Sequence, residues 1–212
     1  MNQWEELQQA AFAKRVSRRD FMRRAAALGV STALATGVLS RAGYAQEPKK
    51  GGTFKIGLGH GATTDSLDPA TYPDQMTGTV GWGASGNSLT EMDVAGNIVG
   101  DLAESFEPSD AAKKWAFKLR KGATFHNGKE VTAADVVASY QHHMGKDSKS
   151  AAKSILDSVE EIKADGDNIV FTLKGGNADF PFYASDYHLK IMQAKADGKA
   201  DWESGIGTVK KK

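Results

Sequence analysis

The chain contains no cysteine in its 212 residues. That absence excludes disulfide staples, thiol nucleophiles and every cysteine-ligated metal site, so the fold has to hold by packing alone. An excess of charge of one sign is missing as well, with 27 Lys and Arg set against 26 Asp and Glu for a net charge of +1. Without a basic excess, nucleic acid is not an expected partner. No H-E-x-x-H string and no G-x-S-x-G string occurs, so the zinc-hydrolase helix and the nucleophile elbow are both absent. The five histidines are His60, His126, His142, His143 and His188. A zinc site needs two of them on one helical face with a third ligand converging, and adjacent His142 and His143 would point about 100° apart on a helix. They read as surface histidines near a helix C-terminus, where cationic character is favoured. Acidic residues are spread over helix faces and turns. No catalytic residue, metal or cofactor is expected, and the chain does not read as an enzyme.

Against these absences stands one strong N-terminal pattern. Ser17-Arg18-Arg19-Asp20-Phe21-Met22-Arg23 forms an S-R-R-x-F-x-R frame, and an uncharged small and apolar run from Ala25 to Ser40 follows it. This is the pattern of a twin-arginine export signal, with Arg18, Arg19 and Phe21 as its signal residues. Arg15, Arg18, Arg19, Arg23 and Arg24 would hold that end at the anionic cytoplasmic face while the run inserts. The run is too short and too rich in Ala, Gly, Ser and Thr for a stable membrane span. Gly43-Tyr44-Ala45 places small residues where a signal peptidase needs them, so cleavage is expected after Ala45 and the destination is the periplasm. Removing 45 of the 212 residues leaves 167, with 20 basic and 23 acidic side chains. That length suffices for one ordinary domain or for one lobe of a larger protein.

Residues 46–52 are polar and proline-containing and read as a linker. Thr53 to Leu58 alternates with period two and predicts a strand, and a Gly-, Thr- and Asp-rich loop runs from there to Pro69. Gly57-Leu58-Gly59-His60-Gly61-Ala62 matches G-x-G-x-x-A, but no helix pattern follows it and Pro69 lies close behind, so a dinucleotide site is not expected. A glycine-weakened helix is expected between Gln75 and Leu89. Thr90–Asp93 and Ile98–Val99 flank the turn Ala95-Gly96-Asn97 and should pair. Leu102–Pro108 leads into Trp115–Arg120, where Trp115, Phe117 and Leu119 alternate as in a half-buried strand. Thr132 and Asp135 form a capping-box start for a helix to about His143 that buries Val136, Val137 and Tyr140. A second helix is expected near Ser150–Leu156. Two strands, Val159–Lys163 and Ile169–Leu173, should join through Asp165-Gly166-Asp167-Asn168. The fold class is mixed α and β, α/β in the broad sense, with mostly local antiparallel pairing.

Several strings, in this order, resemble the extracytoplasmic solute-binding proteins of family 5, which serve ABC importers for peptides, nickel and related solutes. They are Gly51–Gly57, Ser66–Ala70, Leu102–Glu107, and Trp115–Asp135 with its F-x-L-R-K-G-x-x-F-H-N-G-K core. The resemblance covers about Pro48 to Thr208. It implies a lobe of the type II periplasmic-binding fold, with solute held between two lobes that close by a hinge. It also implies solute contact from the loop after the first strand and from rim residues, namely His60, Thr63, Thr64, Asp65, Ser66, Trp82, Asn87 and Tyr187. Ordinary packing is the competing account of Trp82 and Tyr187. The implied partners are a small solute such as an oligopeptide and the membrane permease subunits, with a monomer as the full-length form. In such proteins the stretch at Gly205-Ile206-Gly207-Thr208 continues into a second lobe, whereas here Val209-Lys210-Lys211-Lys212 follows. The expected organisation is thus a signal over 1–45, a linker over 46–52, an N-terminal lobe over 53–208 and a basic tail over 209–212, ended early. A small secreted hydrolase and a structural or interaction domain are the alternatives.

Overall fold

The computed structural model describes residues 2–43, 51–146 and 148–209, with the side chain of Gln75 left aside. The expected cleavage point at Ala45, most of the linker and Lys210–Lys212 lie outside the described residues. The chain divides into two compact units, Met1–Ile56 and Gly57–Lys212.

The first unit holds three helices, α1 (Gln3–Phe12), α2 (Arg18–Ala27) and α3 (Thr32–Arg41). Each starts where a polar side chain satisfies free backbone N–H groups. Asn2 and Glu5 close a reciprocal capping box, Ser17 accepts from the Asp20 amide, and Ser31 accepts from the Leu34 amide. Leu7, Ala11, Val16, Phe21, Ala25, Ala35, Val38, Leu39 and Ala42 form its core.

The second unit is organised by an antiparallel sheet in the order β3-β4-β7-β6. Its strands are β3 (Ala103–Ser109), β4 (Lys114–Leu119), β6 (Val159–Asp165) and β7 (Asn168–Leu173). Trp115, Phe117 and Leu119 on β4 and Ile169, Phe171 and Leu173 on β7 are buried, while the residues between them are more exposed. The period-two pattern therefore puts one apolar face inward, as expected. Register pairs Phe117 with Ile169 and Trp115 with Phe171. Helix α5 (Ala133–His143) packs against β6 and β7 and lays Val136 and Tyr140 into the same core. Its Thr132–Asp135 capping box is formed as expected. The hairpin of β1 (Thr90–Met92) and β2 (Ile98–Gly100) is formed too, with Asp93 accepting from the Ala95 and Asn97 amides at 2.8 Å. Near the end of the described chain, β8 (Thr208–Val209) pairs with β5 (Thr124–Phe125), bringing Gly207 against His126.

Five local expectations need correction. Thr53–Leu58 is not a strand, and Phe54, Ile56 and Leu58 are exposed. An alternating segment becomes a strand only where an edge receives its backbone groups, and no described edge does so. Between Gln75 and Leu89 there is only the four-residue α4 (Gln75–Gly78) followed by a π-turn at Thr79–Gly83. The glycines serve close packing instead, since a Cβ on Gly78 would meet the Tyr187 ring at 2.9 Å and one on Gly81 would clash with the Tyr72 hydroxyl. The second helix is shorter than expected, α6 (Lys153–Leu156). Val137 is half-buried, because it turns away from the face that carries Val136 and Tyr140. His142 and His143 are not surface residues. His143 is 0 % exposed and His142 is partly buried against Asp68, because the last turn of α5 is covered by the segment around Asp68 and by Ser150.

Candidate functional site

The segment from Asp65 to Ser88 has little regular structure and is held in place by polar side chains. Asp68 caps the 3-10 turn Pro69–Thr71 by accepting from the Ala70 amide at 2.9 Å, and it also meets His142 Nε2 at 2.7 Å. Burial works against ionisation of Asp68, but the His142 hydrogen bond and the Ala70 amide outweigh it and hold the carboxyl below its ordinary range. His188 makes the second tether. Its Nδ1 meets Asp186 Oδ1 at 2.7 Å and its Nε2 meets the Tyr72 carbonyl at 3.1 Å. Burial likewise opposes ionisation of Asp186, and the hydrogen bonds from His188 reverse the balance and lower it. The Tyr72 phenol, buried and near Asp68, is pushed up to about 12 and donates to the Leu67 carbonyl.

On this base lies a groove of about 440 Å³ lined by Gly78, Thr79, Trp82, Gly83 and Tyr187. Trp82 is fixed by its indole N–H, which donates to Ser88 Oγ at 2.9 Å. Tyr187 is fixed by its ring, which lies over His188 at a centroid distance of 4.0 Å. Both side chains are half-buried, each with part of its surface in water. Two aromatic walls with glycines between them can take up an apolar or planar group, because an aromatic face gains both by burial and by stacking. A smaller cavity of about 200 Å³ is lined by Asp65, Ser66, Leu67, Tyr72, Met76, Thr77, Val80 and Gly81.

The structure therefore brings Trp82 and Tyr187 to one groove and Asp65 and Ser66 to the smaller cavity. His60, in a left-handed backbone conformation, and Thr63 and Thr64 lie in an exposed loop. Asn87 is engaged inside the protein. Its amide N–H groups donate to both oxygens of Asp101 at 3.1 Å, and its side-chain oxygen accepts from Thr208 at 3.0 Å. Among the described residues no group of three potential metal donors converges. No described helix is long and apolar enough to cross a membrane.

Sequence reading missed the Asp68–His142 and Asp186–His188 pairs, and also Lys190. The i,i+2 spacing of Asp186 and His188 was a visible signal, whereas Asp68 and His142 are 74 positions apart. Lys190 is 3 % exposed and its stem packs on Gly86. Burial pushes its pKa below that of an ordinary lysine, with Asp68 opposing. The buried neighbours Leu189, Ile191 and Met192 were the available sign that this lysine is enclosed.

The sequence model for the middle region of bacterial extracellular solute-binding proteins, family 5, matches residues 97–208, more than half of the chain. The chain belongs to this family. Curated relatives include the oligopeptide-binding protein AppA of Bacillus subtilis, 31% identical over 142 residues, which are 64% of this chain and 25% of AppA. The probable D,D-dipeptide-binding periplasmic protein DdpA of Escherichia coli is 30% identical over 140 residues, 64% of this chain and 27% of DdpA. Among solved structures, the binding protein AgaA of A. tumefaciens R10, in complex with agropinic acid, matches with a TM-score of 0.57 at 31% identity. That match covers 60% of this chain and 26% of AgaA. The family 5 chain thus spans about a quarter of the length of these relatives, and over the matched part its mixed α and β fold is that of the periplasmic binding proteins. The relatives are named for what they bind, not for a reaction.

Proposed function

We propose that this chain is the solute-contacting N-terminal lobe, residues 53–208, of an extracytoplasmic binding protein that delivers an oligopeptide or similar small solute to an ABC importer. The observation that carries the reading is the Trp82–Tyr187 groove in a family 5 chain. Trp82 and Tyr187 supply the aromatic walls, and Asp65 and Ser66 supply polar contacts beside them. His60, Thr63 and Thr64 are the exposed loop that completes the rim. Asn87 acts through position, by tying Asp101 and Thr208 together. The exposed Phe54, Ile56 and Leu58 are apolar surface suited to a covering partner lobe. The chain acts without metal or cofactor, carries out no reaction and binds no nucleic acid.

Affinity in a two-lobed binder comes from enclosing the ligand, and one lobe offers one wall. Di- to pentapeptides at millimolar concentration should therefore shift the Trp82 indole resonance, with calorimetric affinity weaker than micromolar. Loss of the Trp82 shift in Tyr187→Ala would support the groove. Micromolar binding by this chain alone would overturn the one-wall reading, and peptide-induced shifts confined to residues away from the groove would overturn the site.

Residues 1–45 are proposed as the twin-arginine leader, cleaved after Ala45, that sends the protein to the periplasm. Arg18→Lys with Arg19→Lys should leave precursor in the cytoplasm. Mature protein starting anywhere but Gln46 would refute the cleavage point.

A further inference from the structure

The S-R-R-x-F-x-R frame is split by the fold. In α2 the residues Arg18, Arg19, Arg23 and Arg24 are exposed, whereas Phe21 is 0 % exposed and lies among Leu7, Ala11, Ala25, Ala35, Val38 and Leu39. Helical spacing accounts for the division, since Phe21 and Ala25 are four residues apart on the inward face. Trp4 of α1 places its ring 5.7 Å from that of Phe21, and Leu7 of the same helix fills the core beside it. Two further features keep α1 in place. Its first turn is closed by the Asn2–Glu5 capping box. Lys14, left-handed at φ 57°, ends α1's exit turn and donates its ammonium to the Ala42 carbonyl at the end of α3.

A receptor that took the frame's aromatic into an apolar pocket of its own would need that ring free, and Phe21 is already enclosed. The two placements exclude each other. The same holds for Ala35, Val38 and Leu39, which belong to the apolar run and are buried in the same core.

We propose that α1 is an intramolecular mask: in the precursor it holds Phe21 inside a three-helix leader, and an export receptor engages the whole frame only after α1 has moved away. This rests on the twin-arginine reading of the leader. The closed leader presents arginines without the aromatic, so apparent receptor affinity falls with the fraction of open leader. The core to be opened is small and alanine-rich, which puts opening within reach of local unfolding.

The test uses full-length precursor, with amide exchange across α2 read by mass spectrometry and export followed by pulse-chase. Wild-type α2 should be protected around Phe21. Leu7→Asp should abolish that protection and speed export severalfold, while Leu7→Met should leave both as in wild type. Deleting residues 2–12 should act like Leu7→Asp, and photo-crosslinking from position 21 to the receptor should rise in both, a readout that leader proteolysis would not mimic. Unprotected wild-type α2 overturns the proposal. So does lost protection with unchanged or slower export and unchanged crosslinking. If Arg18→Lys with Arg19→Lys is exported normally, the route reading fails and the mask falls with it. That outcome is separable, because the lysine pair leaves α2 protection intact.

Discussion

The helical unit and the sheet unit both exclude water, but with different side chains. In the first, Ala11, Ala25, Ala35 and Ala42 surround one fully buried ring, Phe21. In the second, Phe171 meets Tyr140 at 4.9 Å, Phe180 at 5.0 Å and Phe117 at 5.4 Å, so four rings interlock between sheet and helices. Apolar burial contributes roughly 25 cal/mol per Å², and a ring removes far more area from water than a methyl group does. The sheet unit is therefore built to persist, and the helical unit holds together with little to spare. The proposed mask asks of the helical unit that it open and the proposed groove asks of the sheet unit that it keep its shape, and the two cores differ in the matching sense.

The largest expected effect is on the aromatic core. Phe171→Ala should cost about 3–5 kcal/mol in denaturant unfolding of the sheet unit, because it leaves a cavity among three other rings. The helical unit's transition should not move. A cost below about 1 kcal/mol would remove the basis of the contrast.

Acid should separate the units next. Burial, aided by the charges of His142 and His188 and opposed by Asp68 and Asp186, pushes His143 down from 6.5 to about 4. Between those values the unfolded chain binds the proton and the folded one resists it, so stability is complete above pH 6.5 and falls as the pH drops towards 4. The loss amounts to up to about 3 kcal/mol. Asp68 and Asp186, held low by their histidines, add a further loss only at lower pH. Residues 1–56 contain no histidine, so the helical unit should not follow this step in thermal melts. His143→Leu should flatten the profile, and an unchanged profile in that variant would move the effect to another group.

Smaller effects sharpen the comparison. Lys190→Met removes a largely buried lysine whose pKa is lowered by burial and should raise the melting temperature of the sheet unit at pH 7 by a few degrees; a fall would mean that favourable contacts of the ammonium outweigh its loss of water. Ser17→Ala removes the oxygen that accepts from the Asp20 amide at 3.1 Å and should cost the helical unit about 1 kcal/mol. The same loss without any weakening of α2 protection would place the cap outside the folding unit.

Legibility followed the range of the interaction. The hairpin at Asp93–Asn97, the Thr132 cap, and the alternation of Trp115, Phe117 and Leu119 depend on residues a few positions apart, and each formed as read. Thr53–Leu58 has equally clear alternation but no described edge to pair with, so its local pattern had no structural consequence. The groove was not legible in the residue pattern: Trp82 and Tyr187 were expected at a rim only through the family resemblance, and the packing of Tyr187 on Gly78 joins positions more than one hundred residues apart.

By itself, the sequence determined the class of fold, the family strings, the absence of thiol chemistry, and the S-R-R-x-F-x-R frame. These rest on composition and on short-period patterns, which act through neighbouring backbone and side chains. Tertiary structure alone decided that His142 and His143 are interior groups, that Asn87 is tied to Asp101 and Thr208, that Lys190 is enclosed, and that Phe21 is hidden while its arginines are exposed. Those outcomes depend on which distant surfaces meet, because burial and partnering are properties of the packed chain and no single segment carries them.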